Sequence, residues 1–92
     1  MVDVRACGIN FADVLIRLGR YPQMPELPTV LGSEIAGELD GNRVMGFARG
    51  DAGGYSERAT VDARWLLPLP THASFAEGAA FPMAFVTAWI PL

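Results

Sequence analysis

The sequence predicts a mainly β domain with a few short helices, and three observations carry that expectation. Ten glycines and seven prolines punctuate 92 residues, so the ordered segments are short and joined by turns. Val2, Val4 and Ala6 alternate with Asp3, Arg5 and Cys7, which is the period of a half-buried strand. Asp40-Gly41 separates two apolar runs, and that dipeptide favours a two-residue type I′ hairpin turn.

Composition narrows the rest. At 51% hydrophobic and 18% charged residues, the chain has apolar surface enough for one small core and is not of disordered composition. Ten acidic against seven basic residues give a net charge of −3, which speaks against a nucleic-acid partner, since such proteins carry a basic stripe. All the basic residues are arginines, as codon bias in a GC-rich genome would produce. Cys7 is the single cysteine and His72 the single histidine. An internal disulfide and a zinc site built from several cysteines are therefore excluded. The N-terminal residues lack the apolar stretch of a signal peptide. The longest uncharged run, residues 78–92, is interrupted by two prolines and is too short to span a bilayer. The expectation is a soluble cytoplasmic protein with no membrane partner.

The elements follow in order. The strand Val2–Ala6 comes first. Asn10 is a good N-cap for a helix in which Phe11, Val14, Leu15 and Leu18 recur at helical spacing. Asp13 and Arg17 are four apart and can pair on its other face, and Gly19 stops it. Residues 21–28 form a proline-stiffened extended loop. Strands Ile35–Leu39 and Asn42–Phe47 flank the Asp40-Gly41 turn, and that register sets Glu38 opposite Arg43 as a cross-strand ion pair. After the glycine-rich residues 50–54, a third strand runs from Tyr55 to Val61. A fourth runs from Trp65 to Leu67. Ser74 and Glu77 make a capping box for a short helix, and Pro82 suits the first position of another. Both ends read as internal cuts. The chain starts inside a strand and closes on apolar residues, where domains usually end in polar ones.

The order of these motifs resembles the medium-chain dehydrogenase/reductase superfamily, in its quinone oxidoreductase and enoyl reductase branch. The resemblance rests on residues 4–22 (VRACGINFADVLIRLGRYP), Leu31 to Gly37 (LGSEIAG), Arg43 to Phe47 (RVMGF), Gly53 to Glu57 (GGYSE) and residues 67–81. It implies a GroES-like, partly open β-barrel over residues 1–81, truncated at its start. Residues 82–92 would begin the bridging helix toward a Rossmann coenzyme domain that this chain lacks. No Gly-x-Gly-x-x-Gly follows a strand. One departure is local. The family's longer excursion between the segments at Gly37 and Gly41 shrinks here to Glu38-Leu39-Asp40, and its usual Gly-Asp-Arg-Val reads Gly41-Asn42-Arg43-Val44.

The superfamily divides on zinc. Its zinc-dependent members carry a cysteine and a histidine at the positions matching Asn10 and Ser33, and an amide and a hydroxyl are poor zinc ligands. The resemblance therefore implies a zinc-free reductase, with no metal, that uses NADPH on a quinone or enone. It further implies cofactor-binding roles for Asn10, Tyr21 and Thr87, and a substrate cleft taking in Ser33 and Leu15. No catalytic acid or base is assigned. Cys7 reads as a small buried apolar residue, Leu15 equally as core, and Glu34, Glu38 and Glu57 as solvated or paired strand carboxylates.

The function expected is hydride transfer by the longer protein, with these 92 residues inactive alone. A free-standing GroES-like module that binds a partner is the alternative, because fold does not fix function. Truncation would leave the first strand as an unpaired edge and expose Phe85, Val86, Trp89, Ile90 and Leu92, so that the chain self-associates. Substrate identity, NADPH against NADH and the oligomeric state lie outside what the residues specify.

Overall fold

The hairpin organises the sheet. The computed structural model describes residues 1–22, 28–48 and 53–89. Strands β1 (Val2–Cys7), β2 (Glu34–Leu39), β3 (Asn42–Ala48), β4 (Arg58–Ala59) and β5 (Val61–Pro68) form one sheet in the order β4-β1-β2-β3-β5. Every pairing is antiparallel. Asp40 and Gly41 have φ of 50° and 81°, the two left-handed positions that a type I′ turn requires.

The order of strands explains the barrel. β4 pairs with β1 at one edge and β5 with β3 at the other, yet only Thr60 separates them in sequence. One residue spans a few ångströms, so the two edges lie together and the sheet must curl. This is the mainly β, partly open GroES-like barrel the sequence implied, without a Rossmann unit. The expected strand Tyr55–Val61 is divided at that crossing. Arg58 and Ala59 stay with β1, while Val61 joins the expected Trp65–Leu67 strand to make β5. β1 is therefore flanked on both sides and is not the unpaired edge its position at the chain start suggested.

Two clusters fill the faces of the sheet. Ala36, Met45, Leu69 and Ala79 make one. Val2, Ile35 and Val44 make the other, inside the curl. Because both faces are covered, β2 is buried at four successive residues, Glu34 to Gly37, rather than at every second one. A register shift between Val4 and Ala6 turns the strand over, as a bulge does. Val2 and Val4 face the inner cluster, while Ala6 packs with the outer one and Cys7 with the inner. Simple alternation had put Val2, Val4 and Ala6 on one face.

Helix α2 (Phe75–Ala80) lies on the outer face. Ser74 and Glu77 exchange both bonds of the capping box, at 3.1 and 2.9 Å. Those bonds also hold the exposed Glu77 carboxyl below its usual range. Arg43 and Glu38 are opposite each other in register, but their side chains part. Glu38 binds Arg5 at 3.0 Å. Arg43 lies over the Phe75 ring and donates to the carbonyls of Pro70, Thr71 and Ala73, which fixes the approach to α2. A guanidinium with several carbonyls in reach gains more there than from one exposed carboxylate.

Helix α1 (Phe11–Arg17) ends in a Schellman motif. The Gly19 N–H donates to Ile16 O and the Arg20 N–H to Leu15 O, with Gly19 at φ 73°. Helix α3 (Pro82–Trp89) starts on its proline as expected. Phe81, Phe85 and Trp89 stack in sequence at 5.0 and 5.8 Å between ring centroids, and all three are exposed. The middle of the 21–28 loop, most of the glycine-rich stretch, Ile90 and Leu92 fall outside the described residues.

Candidate active site

The cleft lies between α1 and α3, over the start of β2. Helical spacing suggested that α1 buries Phe11, Val14, Leu15 and Leu18. Instead Phe11 and Leu18 are exposed and Asp13 is 4% exposed. The helix is too short to pack on an apolar stripe alone. It is anchored by a carboxylate: Asp13 Oδ2 accepts from the Tyr55 hydroxyl at 2.8 Å and from the Asn10 N–H at 3.0 Å. The proposed Asp13–Arg17 pair is thereby replaced, because a buried carboxylate needs donors that are buried with it.

Asn10 stands at the head of α1 and its amide turns toward β2. Nδ2 donates to Glu34 Oε1 at 3.0 Å, with Ser33 Oγ at 3.5 Å. Glu34 is 2% exposed, and its other oxygen accepts from the Met83 N–H at 2.7 Å. It is the paired carboxylate of the two readings held open, not the solvated one. Gly8 makes room for it, since a Cβ there would lie 2.1 Å from Glu34 Oε1.

A cavity of about 720 Å³ opens beside this network. Asn10, Tyr21, Ser33 and Thr87 all line it, together with Asp13 and Ile16. Four of the five residues that the sequence nominated, from four separate stretches, thus meet in one space. Leu15 does not line it; it is half-buried, and its neighbour Ile16 takes that place on the wall. Sequence reasoning did not assign Asp13 or Tyr55 to this region. The only signal was that both are polar residues inside the resembling motifs, and their meeting needs the fold. Among the described residues no group of three or more His, Cys, Asp or Glu could hold a metal ion, and no helix is long and apolar enough to cross a membrane.

Two protons are held tightly here. Burial, reinforced by Asp13 and Glu34, pushes the Cys7 thiol up from 9.0 to about 11. Burial and the bond to Asp13 raise the Tyr55 phenol above its usual 10.0. In the unfolded chain both ionise at their ordinary values, while the folded chain keeps them neutral. Their contribution to folding stability is therefore constant below about pH 9 and declines as pH climbs from there through about 11. Urea midpoints taken at about pH 8 and about pH 11 should show this decline, and Cys7→Ala should lessen it. A midpoint that does not move with alkali would contradict the assignment.

Comparison with known proteins follows the same lines. The profile of the alcohol dehydrogenase GroES-like domain matches residues 1–52. A quinone oxidoreductase-like protein 2 homolog from Nematostella vectensis is 39% identical over 99% of this chain, which covers 28% of that protein. The quinone oxidoreductase of Thermus thermophilus, whose crystal structures include a complex with NADPH, superposes with a TM-score of 0.88 at 42% identity. That match covers 97% of this chain and 30% of the enzyme. The human synaptic vesicle membrane protein VAT-1 homolog-like protein superposes at 0.90 with 34% identity, over 99% of this chain and 32% of that one. The chain thus spans roughly a third or less of the proteins it matches. With more than half of its residues matched by one profile and its strands in the corresponding fold, this chain belongs to the alcohol dehydrogenase GroES-like domain family.

Proposed function

We propose that this chain is the substrate-side domain of a zinc-free, NADPH-dependent oxidoreductase that reduces quinones or activated alkenes. The observation that carries the reading is the single cleft lined by Asn10, Tyr21, Ser33 and Thr87. A dinucleotide bound there would supply the hydride, and that chemistry is the cofactor's own. The residues of this chain supply orientation. With Nδ2 committed to Glu34, the Asn10 amide plane is fixed beside the space for the nicotinamide. The hydroxyls of Tyr21, Ser33 and Thr87 can donate to the substrate oxygen that gains charge as an enolate or hydroquinone forms. Ile16 and Ala84 add apolar surface to the walls of the cleft. Glu34 and Asp13 are spent on structural donors, so no general acid is assigned to them. Asn10 and Ser33, where zinc-dependent relatives by resemblance carry ligands, make the reading metal-free.

The test is a chimera in which residues 1–92 replace the matching segment of the Thermus thermophilus enzyme. It should oxidise NADPH with a simple quinone and, after chelation, hold no stoichiometric zinc. The 92 residues alone should not turn over, because positioning supplies much of an enzyme's rate. In the chimera, Asn10→Ala should lower kcat/KM by roughly 10- to 100-fold, the worth of a lost buried hydrogen bond to a charged group. Cys7→Ala should stay close to the parent. Equal activity of the Asn10→Ala chimera and its parent would remove Asn10 from the site.

The exposed Phe81–Phe85–Trp89 stack supports self-association of the chain on its own. Sedimentation at micromolar concentration should reveal oligomers, and Phe85→Ser with Trp89→Ser should shift them to monomer. A monomeric parent would rule this out.

A further inference from the structure

We infer that Glu34 is a positioning residue that sets the span of the cleft by holding one wall with each carboxylate oxygen. This deepens the reductase reading and rests on it only for the ligand. Oε1 accepts from Asn10 Nδ2 at 3.0 Å and Oε2 from the Met83 N–H at 2.7 Å. Asn10 opens α1, which carries Asp13 and Ile16 to one side of the cavity. Met83 sits in the first turn of α3, which carries Ala84 and Thr87 to the other. The two walls are far apart in sequence and meet through one side chain.

The chemistry of the position is narrow. The first N–H groups of a helix have no partner within it. Pro82 has no N–H at all, so that of Met83 is the first donor that α3 offers. Both partners of Glu34 are donors, and only an ionised carboxylate presents an acceptor to each. Glutamine loses the charge and keeps one acceptor, for the Met83 N–H, and its NH2 is accommodated only if the Asn10 amide flips to accept from it. Aspartate keeps the charge but is one methylene too short to reach both. The backbone of β2 anchors the side chain from below, and the missing Cβ of Gly8 leaves the space it occupies.

The experiment uses the full 92-residue chain and reads amide exchange by NMR. In the parent, the Met83 amide should exchange roughly 10- to 100-fold more slowly than a first-turn amide with no acceptor, the protection that a charge-assisted bond provides. This measurement needs no variant and stands even if one fails to fold. In Glu34→Asp, the Met83 protection should fall by about the same factor; in Glu34→Gln, which keeps one acceptor, it should fall less, and in both the Asn10 side-chain signals should move. The amides of Ala36 and Val44, in the middle of the sheet, should keep their rates. Glu38→Gln, which loses a surface carboxylate bound to Arg5, should change neither reporter. An unprotected Met83 amide in the parent overturns the proposal. So does a Glu34→Asp chain that keeps both signals, or a loss shared equally by the sheet amides, which would mean general destabilisation.

Titration of the Thermus thermophilus chimera, which supplies the coenzyme domain, with NADPH separates the two readings. Shifts at Asn10 and Thr87 in the parent chimera, weakened about 10-fold in its Glu34→Gln form, are expected. If NADPH binds the chimera without shifting Asn10 or Thr87 while the Met83 reporter of the 92-residue chain behaves as described, the coupling of the walls is upheld and the reductase reading is overturned.

Discussion

Gly37→Ala should cost the chain about 3 kcal/mol or more and lower its melting temperature by at least about 10 °C. Gly37 lies in β2, between β1 and β3 at the middle of the sheet. A Cβ there would lie 2.1 Å from the carbonyl oxygen of Asp3, 2.9 Å from its carbon and 3.0 Å from Val2 Cγ1. Two of these atoms are backbone of the neighbouring strand, so no rotamer change relieves the clash. β1 would have to move away from β2, opening the ladder and the inner cluster of Val2, Ile35 and Val44. A domain of this size has about 5–15 kcal/mol of stability in total, so one such methyl removes a large share. Thermal unfolding followed by circular dichroism is the measurement. Gly41→Ala is the comparison: its Cβ would meet nothing within 4 Å, and the cost is limited to about 1 kcal/mol for alanine at φ 81°. A Gly37→Ala chain that melts within a few degrees of the parent would refute the placement of β1 against β2.

Gly8→Ala should destabilise by about 2–4 kcal/mol through the Glu34 carboxylate. The new Cβ would lie 2.1 Å from Oε1 and 2.5 Å from both Cδ and Cγ. These are side-chain atoms, but they are buried and tied to donors on two helices, so displacing them breaks both bonds. Asn10 Nδ2 and the Met83 N–H would be left without their acceptor in a partly buried setting. A double-mutant cycle isolates the effect. In a Glu34→Ala background the clash has no target, and adding Gly8→Ala should cost less than about 1 kcal/mol beyond Glu34→Ala itself. Equal penalties in both backgrounds, from urea unfolding, would show that Gly8 is required for its backbone and not for the space it leaves.

The parts of this fold legible in the residues alone are those governed by neighbours a few positions away. The Asp40-Gly41 hairpin and its Glu38–Arg43 register, the Ser74–Glu77 capping box, Pro82 opening α3 and Gly19 closing α1 each depend on a local rule of turn or helix geometry. The grouping of Asn10, Tyr21, Ser33 and Thr87 was legible only through resemblance, since nothing in their spacing brings four such stretches together. Tertiary structure alone decided the rest. A bulge beside Arg5 sent Ala6 to the face opposite Val2 and Val4 and brought Cys7 to theirs. Thr60 carried the chain from one sheet edge to the other and split an apparent strand. Arg43 left its cross-strand partner for carbonyls ahead of α2. Asp13 turned inward to Tyr55, and Glu34 found donors on two helices. For Arg43 and Asp13 the energetic competition is between a local partner and one brought near only by folding. A buried carboxylate or a half-buried guanidinium goes to the site where its hydrogen bonds are met, and sequence spacing carries no record of such distant donors and acceptors.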